Sequence, residues 1–233
     1  MWGAIPIYAC SRMLVGMSEA LRADAARNRR QLVDAARVVF AERGLDAPLD
    51  EIARRAGVGN ATLYRRFPTR CALIAAVFVD TLEDVVAACE DALAEADPWE
   101  AFAGHLVLLC ELQAGNRALA DLLVSHVSGL PELEQLRGRA LEGLTRLIDR
   151  AQASGDLRAD FRHEDVVVLL MANAGLIDRT AETAPTAWRR HLEQLLAGLR
   201  VSVGGPAPPL PPSPGERQVL ASMRALADRH GCA

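Results

Sequence analysis

The strongest constraint on this chain is an apolar stripe of helical period that recurs along most of its length, with no alternating strand pattern beside it. In RRQLVDAARVVFAERG, residues Leu32, Ala35, Ala36, Val39 and Phe40 fall at i, i+3, i+4, i+7 and i+8. That spacing places five apolar side chains on one face of an α-helix. Gly44 is placed to end that helix. In PLDEIARRAGVG, Pro48 suits a helix start, and Asp50 and Glu51 suit the positive end of its dipole. Leu49, Ile52, Ala53 and Ala56 line one side. Gly57 ends the short helix, NATLYRRF restarts at once, and Pro68 closes it. Residues 48–67 therefore read as two short helices joined by a glycine turn, preceded by a longer helix.

The second short helix can be oriented by angle. At about 100° per residue, Leu63 and Phe67 share a face and must pack inward. Arg65 then points away from the core, with Ala61 above it, Thr62 beside it, and Tyr64 and Arg66 on the flanks. A small, polar, cationic outer face is what a helix needs to enter a major groove. The charge distribution agrees. All 26 basic residues are arginine, and residues 22–70 hold 11 of them against 6 acids, a net of +5. Residues 71–233 hold 14 against 23, a net of −9. A basic module that meets an anion and an acidic body that does not is the reading this asymmetry supports. Asn60, Ala61, Thr62, Tyr64, Arg65, Arg66 and Arg70 are the candidate contact residues. Arg54 and Arg55 read mainly as solvated or structural. Arg27, Arg29 and Arg30 read equally as an arm along a nucleic-acid backbone or a solvated end.

From Thr69 onward the expectation is all helix. Thr69 is a suitable N-cap for a long helix. Further helices are expected from Pro98 to near Gly115, over 117–127, from Pro131 to Gly155, and over 163–182 and 185–200. VSVGGPAPPLPPSPGE has no helical period and reads as a linker; RQVLASMRALADRHG can form a last short helix. Residues 1–24 are expected to be a disordered arm or an over-extended start, with translation beginning at Met13 or Met17. WGAIPIYAC is apolar, but no basic residue precedes it as a secretory signal would need. The five cysteines are irregularly spaced and form no zinc pattern, which fits free thiols in a reducing cytoplasm. No apolar run reaches the ~18 residues that argue a membrane span. No GxSxG, Walker or dinucleotide pattern occurs, and His163-Glu164-Asp165 lacks the second His of a zinc-protease helix. No catalytic residue, cofactor or metal is expected.

The segments IARRAGV, TLYRRF and PTR followed by ALIAAV make residues 26–85 similar to the DNA-binding region of the TetR family of bacterial transcriptional regulators. The resemblance implies an all-α fold: a three-helix DNA-binding domain over 25–85, a helical ligand-binding and dimerisation domain over 86–202, and a tail over 203–233. It implies nine helices, and a homodimer built through about 163–200. It further implies a palindromic double-stranded DNA operator, with repression relieved by a small molecule. By position it places Thr62 and Tyr64 at DNA, Tyr64 on phosphate, and Arg70 where the family usually has a lysine that meets the backbone. Pro48, Gly59, Asn60 and Arg66 differ from the residues common at those places, so the resemblance does not extend to the base contacts.

The same resemblance makes the 98–115 segment a pocket wall. Trp99, Phe102, His105, Leu109, Cys110 and Gln113 are its candidates, with Met171 and Asn173 from the apolar run VVVLLMANAGL. Plain core packing is the competing reading for each. Only 4% of residues are aromatic, so the wall is expected to be mostly Leu, Val and Ala, suited to an apolar or amphipathic guest. A DNA-binding regulator with no small-molecule effector is the alternative, and a tightly filled body would favour it.

Overall fold

Helix follows helix because glycine, proline and capping residues interrupt an otherwise continuous helical pattern. The structure is a computed structural model that describes residues 7–126, 130–201 and 208–229, with side chains described from Asp24. Ten helices occur in that range: α1 (Ile7–Arg43), α2 (Leu49–Arg55), α3 (Asn60–Arg66), α4 (Arg70–Ala94), α5 (Pro98–Gly115), α6 (Arg117–Val124), α7 (Pro131–Ala153), α8 (His163–Thr180), α9 (Ala187–Leu199) and α10 (Glu216–Arg229). No strand forms among the described residues; a single isolated bridge joins Leu157 to Arg200.

The stop and start signals act as their chemistry requires. Gly44 and Gly57 end α1 and α2 at φ +79° and +69°, a region costly for any residue with a Cβ. The Thr69 side chain accepts from the backbone N–H of Ala72 at 3.1 Å and caps α4. Asp97 accepts from Trp99 and Glu100 to start α5. Asn116 accepts from Ala118 and Leu119 to start α6.

Two expectations are corrected here. Residues 1–24 are not irregular throughout, because α1 already runs from Ile7. The stretch from Ser18 to Arg43 holds no Gly or Pro and is rich in Ala, Leu, Glu and Arg, so nothing in it opposes helix propagation. The second concerns only the nine helices that the resemblance implies. The last short helix read from the sequence after the Pro-rich stretch does form, as α10, and makes a tenth among the described residues; it packs on the body through buried Val219 and Ala227. Arg158 holds the carbonyl of Pro208 at 2.8 Å. Asp160 accepts from the Leu210 N–H at 2.9 Å, and Asp165 from the Ser213 hydroxyl at 2.7 Å. The Met223 carbonyl accepts the His126 N–H at 3.0 Å.

The helices share two main cores. One gathers Leu32, Phe40, Ile52, Leu63, Phe67, Leu73 and Phe78 of α1–α4 with Leu119 and Leu122 of α6 and Leu133 of α7. The other gathers Phe102, Leu106, Leu144, Ile148, Val166, Leu170, Trp188 and Leu192. Helix α4 serves both, so it passes unbroken through the boundary expected at 85/86. Its closest neighbour is α7: a Cβ on Gly143 would lie 2.6 Å from Cys89 Sγ. Cys89 and Cys110 are free and buried.

Candidate nucleic-acid interface and body cavity

The orientation of α3 follows from two anchors. Leu63 and Phe67 are 1% and 3% exposed and tie the helix to the first core. The opposite face is open: Asn60, Ala61, Tyr64, Arg65 and Arg66 are exposed and Thr62 is half-buried. Tyr64 is 53% exposed, which removes the reading of it as a core tyrosine. Arg65 and Arg66 have no partner within the chain among the described residues. The arginines of the supporting helices differ. Arg43 pairs with Glu51 at 2.6 Å, Arg54 with Glu51 at 3.9 Å, and Arg55 with Glu42 at 3.6 Å. Of the arginines before the first core residues, Arg29 stacks its guanidinium over the Phe67 ring at 5.5 Å, and Arg27 pairs with Asp24 at 3.3 Å.

Arg70 departs from expectation. Its Nη1 donates to the carbonyls of Leu45 and Ala47 at 2.8 and 2.7 Å. It is a strut under the α1–α2 turn instead of a free cation aimed outward. The reason is positional. Arg70 begins α4, which packs against α1, so its side chain reaches the turn carbonyls that no helix satisfies. The same turn is held from the other side, where Asp121 of α6 accepts the Leu45 N–H at 3.1 Å.

The body holds a partly open cavity of about 410 Å³ between α4, α5, α6, α7, α8 and α10. Its wall is mostly aliphatic, with Leu82, Val85, Leu109, Leu122, Leu144, Val166 and Leu170. His105, His126, Glu134, Arg137, His163 and Glu164 supply its polar positions. Val219, Leu220 and Met223 of α10 close one side. Of the sequence candidates, His105 and Leu109 line this cavity. His105 is 4% exposed, its Nδ1 has no partner, and burial pulls its pKa down to about 4.

The other six candidates lie elsewhere, and each has a packing reason. Trp99 and Phe102 stack with ring centres 5.9 Å apart, Phe102 meets Phe161 at 5.7 Å, and Arg200 covers Trp99 at 5.1 Å. Cys110 is fully buried, and burial pushes its thiol up to about 12. Gln113 and Asn173 are joined by one bond: Asn173 Nδ2 donates to Gln113 Oε1 at 2.8 Å, and Gln113 Nε2 donates to the Leu170 carbonyl at 3.1 Å, while the buried Asn173 Oδ1 has no partner. Met171 is half-buried against the second core. Each of these side chains faces core instead of cavity, a difference of angle around α5 and α8 that a single apolar run does not encode.

Sequence reasoning missed Arg137, His126 and the α10 residues. A signal existed for Arg137. It lies on the apolar stripe of α7 with Leu133, Ala140 and Leu144, at i, i+4, i+7 and i+11, and a charge on a buried stripe is rarely incidental.

Among the described residues no three His, Cys, Asp or Glu side chains come together as a metal site, and no helix is long and apolar enough to cross a membrane.

Comparison with known proteins agrees with this architecture. The N-terminal model for bacterial regulatory proteins of the tetR family matches residues 32–77. The C-terminal domain model of SbtR-like transcriptional regulators matches residues 97–201. The TetR transcriptional regulator SCO0520 of Streptomyces coelicolor is 36% identical; the match covers 75% of this chain and 99% of that one, with a TM-score of 0.51. A helix-turn-helix transcriptional regulator of Mycobacterium tuberculosis, Rv2250c, is 28% identical over 67% of this chain and 87% of its own. A tetR-family regulatory protein from Rhodococcus RHA1 shares the fold at 21% identity and a TM-score of 0.55, covering 75% of this chain and 98% of that one. With its short helix pair and its helical body both matched, the chain belongs to the TetR family of bacterial transcriptional regulators.

Proposed function

We propose that this protein is a cytoplasmic, homodimeric repressor that binds a palindromic operator and is released by a small molecule held in the body cavity. The single observation that carries the DNA reading is the outer face of α3, where Arg65 and Arg66 stand exposed and unpartnered beside Tyr64 while the arginines of α2 are engaged by acids. In this reading Arg65 and Thr62 meet base edges, and Tyr64 and Arg66 meet phosphates and fix register. Asn60 and Ala61 lie at the groove entrance. Arg70 acts indirectly, by holding the turn that carries α2 and α3. Dimerisation runs through α8 and α9. The chain regulates and does not catalyse.

The cavity supports effector control over a regulator without an effector. Helix α6 connects the two sites: Leu122 and Leu123 line the cavity, and Asp121 between them and the head holds Leu45 of the α1–α2 turn. Arg117 at its start pairs with Asp178 of α8. A guest that displaces α6 therefore moves the turn that positions the recognition helix. It releases DNA only to the extent that it binds the displaced state more tightly.

The test is fluorescence anisotropy with duplex DNA from directly upstream of the gene, beside a scrambled duplex, over a salt series. Selective binding with a steep salt slope is expected. Arg65→Ala is expected to lose discrimination by about 1–3 kcal/mol, the size of one good base contact. Parent-like affinity and selectivity in Arg65→Ala would refute the groove assignment.

A further inference from the structure

The cavity has a polarity that its aliphatic wall conceals. Arg137 enters from α7. Its Nη2 donates to the carbonyl of Leu122 at 2.6 Å, but its Nε is buried and has no partner. No carboxylate pairs with it among the described residues. Arg137 as a whole is half-buried, and a partly desolvated guanidinium with one carbonyl and no counter-ion is a costly arrangement, since a charge drawn out of water is ordinarily paired. Burial lowers the Arg137 pKa to about 10, which leaves it charged at neutral pH. His126 sits near Arg137 and Arg224, both of which depress its pKa after burial itself, against an opposing effect of Glu134. His105 brings a second buried nitrogen without a partner to the same cavity. The acids are placed differently. Glu134 and Glu216 are exposed, and Glu164 lies 3.4 Å from His163.

The geometry points to a binding site for an amphipathic anion: a carboxylate head paired with Arg137, and an apolar tail laid along Leu82, Val85, Leu109 and Leu144 beneath α10. This rests on the reading of the cavity as the effector site and names its ligand class. Arg is the side chain suited to such a head, because its fork matches the two oxygens of a carboxylate. The cavity volume of about 410 Å³ lies in the roughly 300–1,000 Å³ range of small-molecule sites. Helix α10 falls outside the matched C-terminal family model, which ends at residue 201. Its Val219, Leu220 and Met223 thus form a wall that lies outside the part of the chain the family model matches.

The experiment is calorimetric titration of the full chain with sodium decanoate, 1-decanol and decyltrimethylammonium, repeated on Arg137→Met. The wild-type chain is expected to bind decanoate about tenfold or more tighter than decanol, with decyltrimethylammonium weakest. Arg137→Met, which keeps the volume and removes the charge, is expected to bring decanoate and decanol within about threefold of each other without weakening decanol. Decanol binding as tightly as decanoate, a preference that survives in Arg137→Met, or no binding of any probe would each overturn the assignment. If Arg137→Met does not fold, the ranking on the wild-type chain decides. Duplex binding measured without probes separates the two readings. Selective DNA binding with no preference for decanoate removes only the head-group assignment. A preference for decanoate without selective DNA binding leaves the site and removes the regulator built on it.

Discussion

Replacing Arg70 with Met should cost stability and leave the salt dependence of DNA binding intact. In the structure its guanidinium donates at 2.8 and 2.7 Å to the carbonyls of Leu45 and Ala47, in a half-buried position between α1 and α4. A hydrogen bond to a charged group contributes about 1.5–3 kcal/mol, and an acceptor left dry costs at the upper end of that range. Met keeps the stem packed, so the loss comes from the two bonds, and partial solvent access brings it to about 2–4 kcal/mol. At about 2–4 °C per kcal/mol for a chain of this size, that lowers Tm by roughly 4–16 °C. The assay pairs thermal unfolding by circular dichroism with anisotropy on operator DNA, run well below the variant's Tm over a salt series. A phosphate contact would behave in the opposite way. Its loss would leave Tm in place and reduce the log–log salt slope by ~0.9. A Tm within a degree of the parent together with that smaller slope would refute the strut assignment and return Arg70 to the DNA surface.

Gly44→Ala should destabilise more than Gly57→Ala. Both glycines lie at positive φ, which costs Ala about 1–2 kcal/mol, but a Cβ at Gly44 would also stand 2.7 Å from Asp121 Oδ2 while Gly57 faces open space; equal costs in urea unfolding would remove the Asp121 contact from the account. Stability should fall as pH drops from about 6.5 to about 4. His105 stays neutral in the fold across that window because burial lowers its pKa to about 4, so the unfolded chain binds the extra proton, a difference of roughly 3 kcal/mol. His105→Leu should flatten that part of the stability–pH curve, and an unchanged slope would show that other groups carry it. Asn173→Leu and Gln113→Leu should each cost about 1–3 kcal/mol by stranding the partner amide, and the double variant should cost less than the two together; simple additivity would mean that the amides do not rely on one another.

The sequence by itself determined where helices start and stop and which face of each is buried. Gly44, Gly57, Thr69, Pro98 and Pro131 carry chemistry that acts on the residues beside them, so their effect is local and readable. The inward set Leu63 and Phe67, and the outward set Tyr64, Arg65 and Arg66, follow from a period of 3.6 residues alone. What the period cannot express is which other element faces a given side chain. Gln113 and Asn173, sixty residues apart, read as two pocket anchors and are instead one hydrogen-bonded pair within the core. Arg70 reads as a free cation and is occupied by a turn 23 to 25 residues earlier. Arg137 shows in the sequence only as a charge on an apolar stripe, and RQVLASMRALADRHG only as a last short helix after a linker. Only the packing of α6, α7 and α10 around a common space makes the first an unpaired charge and the second a wall. Local interactions decide helices because the partners are neighbours in the chain. A cavity is decided by surfaces distant in sequence, whose angles and separations are set jointly by every core side chain between them.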